Sequence, residues 1–381
     1  MSPRLKIVPS VCLLLLAASV GCTPPKYKVP AELRESRVLL GSNWLDKKVF
    51  YQSKGIGEVS QILMGWPADR EGADLMVAGN KGVQFLDLGG HMVKAINFSD
   101  RFVSPVQVVQ LDESGNFGFL TRDESWSGPV LLFDMQGQEI WSYGSRFFSG
   151  ADDSVAGDID GDGRPEFAVA HTPKILLINR DGREIWTSHD LNIWHLELLP
   201  ASAGEPGKII HSNAGGELVV QDSQGREIAK YLPGRYVGQF AITRWGTEKQ
   251  ATHILAPNET TSKTDPQRRE FFVLDSRGKI VSHFESPLGA LLSDLWGTSV
   301  YFSDNSSYYA LLQSYRPADR SMLSVFDEKS QLVYQEILDE NCEAVAAAPG
   351  KSHESLLVGC EDKSFAYSLS QDTKDSSRRV H

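Results

Sequence analysis

The amino-acid sequence predicts an all-β fold, a seven-bladed β-propeller of four-stranded blades with an N-terminal strand closing the last blade. Three observations predict it. A motif of an apolar strand ending in Asp or Asn, a Gly three residues on and an apolar residue three further recurs. It stands at Asp134-Gly137-Ile140, Asn179-Gly182-Ile185, Asp222-Gly225-Ile228 and Asp275-Gly278-Val281, with weaker copies at Asp87, Asp327 and Ser368. Successive copies are 47, 45, 43, 53, 52 and 41 residues apart, close to the roughly 40 to 50 residues of a four-stranded blade. Each interval carries several short alternating apolar segments, the pattern of half-buried strands. The Asp or Asn oxygen caps a tight turn and Gly takes the left-handed backbone, so each copy reads as a hairpin within a blade. A ring of seven such units leaves no open sheet edge of the kind an unclosed array would expose. A two-sheet sandwich array is the alternative, and it accounts for the period less well.

Composition fits this reading and excludes others. Of 381 residues, 41% are hydrophobic and 23% charged, enough apolar matter for a sizeable core and too much for wholesale disorder. A net charge of −11 and an isoelectric point near 5.4 argue against a nucleic-acid partner, which requires clustered Lys and Arg.

Residues 1–21 read as a signal peptide. Arg4 and Lys6 precede an apolar run from Val11 to Val20, too short for a stop-transfer helix. The segment Ala18-Ser19-Val20-Gly21-Cys22 resembles the bacterial lipobox, with Ser19 where that family usually has Leu. The resemblance implies lipidation of Cys22 and a membrane anchor; the alternative is an ordinary secretory signal that leaves Cys22 as a thiol. Cleavage removes Arg4 and Lys6 and takes the side-chain charge from −11 to −13. The three prolines of residues 23–30 favour an extended chain, so residues 22–45 read as lipidated N-terminus and tether, with a short helix expected over Ala31 to Leu40. Thr23 is not the Asp that lipoproteins use for inner-membrane retention, which favours the outer membrane if the host envelope has two.

The propeller is assigned to 46–370 and a polar tail to 371–381. In the third copy, strands are expected at Ser154 to Ile159, Phe167 to His171, Lys174 to Asn179 and Glu184 to Ser188. The last copy has three strands, near Glu343, Leu356 and Phe365, and Lys48 to Gln52 is expected to supply its missing outer strand. Trp141 and Trp186, one residue after the apolar hairpin position, are read as outer-strand aromatics packing between blades.

Asp158-Ile-Asp160-Gly-Asp162-Gly-Arg164-Pro-Glu166 is the most specific chemical motif. Carboxylates at positions one, three, five and nine, a carbonyl available from Arg164, and glycines that bend the backbone suit calcium, a hard cation wanting six to eight oxygens. The alternative is an acidic turn without metal. The motif resembles the calcium loop of FG-GAP/VCBS repeats in integrin-type propellers, with Glu166 where that family more often has Asp; the resemblance implies calcium at this one blade.

Extra length in the two long intervals falls at Asn258 to Glu270 and Gln313 to Ser321, on one rim opposite the calcium loop. Arg268, Arg269, Tyr315 and Arg316 there are candidate partner-binding residues, unless these are merely tolerated insertions. With Cys12 in the signal and Cys22 assigned to lipid, Cys342 and Cys360 remain as a candidate disulfide. In a hairpin without a bulge, Ala347 opposite Ser355 also sets Cys342 opposite Cys360; two reduced thiols are the alternative. No His-Glu-x-x-His, nucleophile elbow or phosphate loop occurs in the sequence, and His189 and His195 read as surface or strand-end residues.

The functional expectation is an extracytoplasmic binding or scaffold module of the bacterial cell envelope, its partner an envelope protein or a surface polysaccharide. A variant of this resembles the propeller lipoprotein of outer-membrane β-barrel assembly, a family with eight blades. The opposing class is a quinoprotein-like or polysaccharide-active enzyme. A deep polar pocket at the channel mouth would favour the enzyme, and a shallow face the scaffold.

Overall fold

The computed structural model describes residues 31–370 apart from connecting segments, the longest of them 65–73, 145–152, 232–239, 245–251, 259–268 and 287–294. Residues 1–30, with the expected signal peptide and Cys22, and residues 371–381, the expected tail, lie outside the described residues. Seven antiparallel sheets form a ring, a seven-bladed β-propeller. In blades 1 to 6 four consecutive strands run from the channel outward, and the innermost begin at Val59, Gln107, Asp153, Ile193, Ala241 and Leu295. Blade 3 has strands at Asp153–Gly157, Glu166–His171, Lys174–Ile178 and Glu184–His189, each within two residues of expectation. Seven buried apolar clusters alternate with the blades, and each is built from two neighbours: Leu120 and Leu132 of blade 2 meet Phe167 and Val169 of blade 3, for example.

The repeat motif forms the hairpin between the third and outermost strands. Asp134 Oδ1 accepts from the N–H groups of Gln136 and Gln138, both at 2.8 Å, and the same pair of bonds recurs on Asn179, Asp222, Asp275 and Asp327. Ser330 takes the glycine position with φ +61°. The apolar residue after the turn is not core. Ile140, Ile185 and Ile228 are about half exposed, because each is the extra residue of a β-bulge that breaks the in–out alternation.

One residue further on at Trp141 and Trp186, and three further on at Tyr231, the chain latches blade to blade. Trp141 Nε1 donates to the Arg180 carbonyl at 3.0 Å, Trp186 Nε1 to Ser223 at 2.9 Å, and the Tyr231 hydroxyl to Ser276 at 3.1 Å. Each acceptor lies in the hairpin turn of the next blade. A Cβ at Gly225 would stand 2.8 Å from the Trp186 ring, so Gly is required there by the neighbour as well as by its φ of +75°.

The N-terminal chain departs from expectation and closes the ring more thoroughly. Instead of a helix over Ala31 to Leu40 there is one 3-10 turn, Ala31–Arg34, and then strand β1, Arg37–Leu40. β1 pairs with the outermost strand of blade 6, Arg37 opposite Ile337, as a fifth strand. The open edge of that blade supplies backbone partners that a short isolated helix would lack. Strand β2 is Leu45–Gln52, three residues longer than expected, and completes blade 7 by pairing with Lys363–Leu369. Between the two strands, Trp44 packs edge-on against Phe302 and Tyr308 of blade 6. Buried Glu336 accepts hydrogen bonds from the Tyr334 and Tyr367 hydroxyls and pairs with Lys47 Nζ, each at 2.8 Å.

Cys342 and Cys360 form a disulfide joining the two inner strands of blade 7. They are directly opposed, although the register differs from that expected. Ala347 faces Leu356 rather than Ser355, and a bulge between Cys342 and Ala344 returns the cysteines to the same level.

Candidate functional site

Residues 158–166 connect the innermost and second strands of blade 3. Their geometry follows from short acidic side chains folding back on their own backbone. Asp158 accepts from the N–H groups of Gly161 and Gly163 at 2.7 and 3.1 Å, Asp160 from Asp162 N–H at 3.0 Å, and Asp162 from Arg164 N–H at 2.8 Å. Gly161 and Gly163 have φ of +86° and +84°, the left-handed backbone that wraps the loop about its centre. The carboxylates of Asp158, Asp160 and Glu166 converge, with one oxygen of each within 4.8 Å of the others. Asp162 does not join them, and Arg164 is exposed. Burial, with the charges of Asp160 and Asp162 beside it, pushes Glu166 up to about 7 against an N–H bond from Ile159 at 2.9 Å. The donor set and its crowded negative charge therefore fit a hard divalent cation.

The two candidate partner loops lie at the opposite rim, where second strands turn into third strands. Arg268 and Arg316 lie outside the described residues. Arg269 pairs through its backbone with Ser286, and Tyr315 with Arg320. The extra length at Gln313 to Ser321 is mostly ladder, since pairing continues from Gln313 opposite Met322 to Tyr315 opposite Arg320. What reads as a loop insertion is thus a longer hairpin projecting from the rim.

That rim also carries the mouth of the central channel, because the innermost strands begin there. Their first residues enclose a cavity of about 580 Å³ lined by Gln61, Arg122, Asp153, His195, Glu197 and Glu343, with Trp194 and Trp296 among its apolar walls. His195 is no strand-end surface residue. Nδ1 lies 2.7 Å from Asp153 Oδ2, Nε2 lies 3.4 Å from Glu197 Oε1, and the ring meets Phe240 edge-on. Asp153 also accepts from Leu196 N–H at 3.0 Å and Ser154 N–H at 2.8 Å. Burial alone would lower His195, but the Asp153 and Glu197 carboxylates outweigh it and raise the imidazole to about 10. Burial likewise opposes ionisation of Asp153, and the charges and hydrogen bonds of His195, with Arg122 and Leu196, hold it below the usual carboxylate range. A carboxylate on each nitrogen favours the protonated form of His195, and in that form the ring has no lone pair with which to act as a base.

Sequence reading missed this cluster because no local motif marks it. The one signal is positional: Gln107, Asp153, His195, Trp296 and Glu343 each fall 16 to 21 residues after the turn residue of the preceding repeat, where the chain re-enters the channel.

No protein-family model matches the sequence, and no curated protein matches it. Among solved structures, the crystal structure of BBS1N in complex with ARL6DN soaked with lead is similar at 11% identity and a TM-score of 0.56. The match covers 87% of this chain and 98% of that one. The same complex soaked with mercury gives 11% identity and a TM-score of 0.57 over the same shares. The likeness is one of fold.

Proposed function

We propose that this chain is a lipid-anchored, calcium-stabilised propeller acting as an extracytoplasmic scaffold for an envelope protein. The observation that carries the scaffold reading is the ring itself, closed at both sides of its seam and presenting an extended hairpin at Gln313 to Ser321 on one rim. Rigid scaffolds with projecting hairpins are common protein-binding platforms, and a propeller of similar architecture, BBS1N, is crystallised with a protein, ARL6DN. Anchoring rests on the lipobox resemblance at Cys22. From there, eight residues lead to the 3-10 turn at Ala31, a tether of up to about 30 Å if extended. The number of blades, seven, sets the chain apart from the eight-bladed outer-membrane assembly lipoproteins.

Crosslinking in the native envelope, followed by identification of the captured chains, tests the scaffold. One envelope protein should be enriched over a variant lacking 259–268 and 316–318, and equal capture by both would count against it. A Cys22→Ser variant should move from the membrane fraction to the soluble fraction; unchanged fractionation would refute the anchor.

Calcium is proposed at Asp158, Asp160 and Glu166, with the Arg164 carbonyl and, after rotation of its side chain, Asp162 completing the sphere. A ligand bound only to the folded state at one hundred times its dissociation constant adds about 2.7 kcal/mol. Chelation should lower the melting temperature of the wild type and leave Asp160→Ala unmoved. A wild-type melt indifferent to chelator would remove the metal from the account.

A second reading, an enzyme, has the polar channel in its favour. His195 is nevertheless held as a cation between two carboxylates, which suits binding better than proton abstraction.

A further inference from the structure

We propose that the central cavity binds a neutral polyhydroxylated ligand, a sugar unit or short oligosaccharide, through Trp194, Trp296, Ser60 and Gln61. Its volume of about 580 Å³ falls among small-molecule sites. The electrostatics disfavour an anionic ligand. Asp153 is compensated by His195 and Arg122, Glu197 by His195, and Glu343 accepts from Asn341 Nδ2 at 3.0 Å. An anionic ligand would have to take His195 or Arg122 from its carboxylate partner and leave a partly buried charge uncompensated, whereas a neutral one leaves these pairings intact.

The remaining hydrogen-bonding capacity has the character that hydroxyl groups meet. Ser60 and Gln61 line the cavity, and their Oγ and Oε1 atoms are turned away from solvent without a hydrogen-bond partner among the described residues, a condition uncommon in folded proteins. The terminal torsion of Gln61 is soft, and rotation about it presents the oxygen to the cavity. A ligand hydroxyl donates to that oxygen and either donates to or accepts from Ser60. Trp194 is 48% exposed, and Trp296, two blades away, is half-buried in the cavity wall. A flat ring with one polar edge matches a sugar, whose C–H face is apolar and whose rim is polar. A ligand held inside the channel leaves the projecting hairpin free, so this site and the protein-partner reading stand or fall separately.

Intrinsic tryptophan fluorescence and calorimetry with maltose, N,N′-diacetylchitobiose and methyl α-glucoside test the proposal, with spermidine and glucuronate as charged comparators. At least one neutral sugar should give saturable binding, weakened about tenfold or more by Trp194→Ala and by Gln61→Leu in folded protein. Trp194 is largely at the surface, and should its variant fail to fold, Gln61→Leu alone decides. No saturation with any neutral sugar, tighter binding of a charged comparator, or binding indifferent to the variants would each overturn it.

Discussion

A chain beginning at Ser53 loses its cooperative unfolding transition. Without β2, the strand Lys363–Leu369 forfeits pairing along its whole length, from Leu45 opposite Leu369 to Gln52 opposite Lys363, and becomes an open edge. β1 is lost with it, so blade 6 is uncovered as well. Buried Glu336 loses its pairing with Lys47 and keeps only the two tyrosine hydroxyls, and breaking a buried ion pair by removing one partner costs several kcal/mol on its own. Trp44→Ala is the graded version of the same test. It removes the ring between Phe302, Tyr308 and Tyr334 and should cost about 3 kcal/mol. That is the lower end for buried aromatics, because Trp44 keeps part of its surface in water. Thermal melts by circular dichroism, with size exclusion to report aggregation, check both. A truncated chain that melts cooperatively within a few degrees of the wild type would show that the seam does not depend on its N-terminal strands.

The seam also marks where local sequence stops being informative. Blade number was legible because each hairpin turn is written in four residues, and Asp134, Asn179, Asp222 and Asp275 make the same bonds wherever they occur. The convergence of Asp158, Asp160 and Glu166 was legible for the same reason, as the loop folds on itself. β1 was not. Val38, Leu39 and Leu40 become a strand because blade 6 offers an edge nearly 300 residues away in the chain. The cysteine pair was reached through a register one step out, corrected by a bulge that no residue near Cys342 announces. The channel cluster was missed because Asp153 and His195 meet only when two innermost strands are set side by side, each arriving after a connection of variable length.

Asp153→Ala should be the most damaging single substitution in the channel, costing about 3 to 5 kcal/mol near pH 6, because it leaves the His195 imidazolium buried without its main partner. The cost should depend on pH in a defined direction. His195 is raised from 6.5 to about 10 in the folded protein, so its contribution is complete below pH 6.5 and drains away as pH rises toward 10. Asp153 is lowered from 3.8, so its contribution is present above that value and lost as pH falls through the lowered one. The pair therefore stabilises most between roughly pH 4 and 6.5. Glu197, on the other nitrogen, keeps part of the imidazolium's compensation in the variant, which places the expected cost toward the lower end of the range. Denaturant unfolding of wild type and variant at pH 5, 6.5, 8 and 9.5 measures the difference directly. It should be largest at the two acidic points and shrink steadily above them. A difference that stayed constant across the series would mean that His195 is neutral in the folded protein, and with it the argument that the channel holds ligands and does not abstract protons would fail.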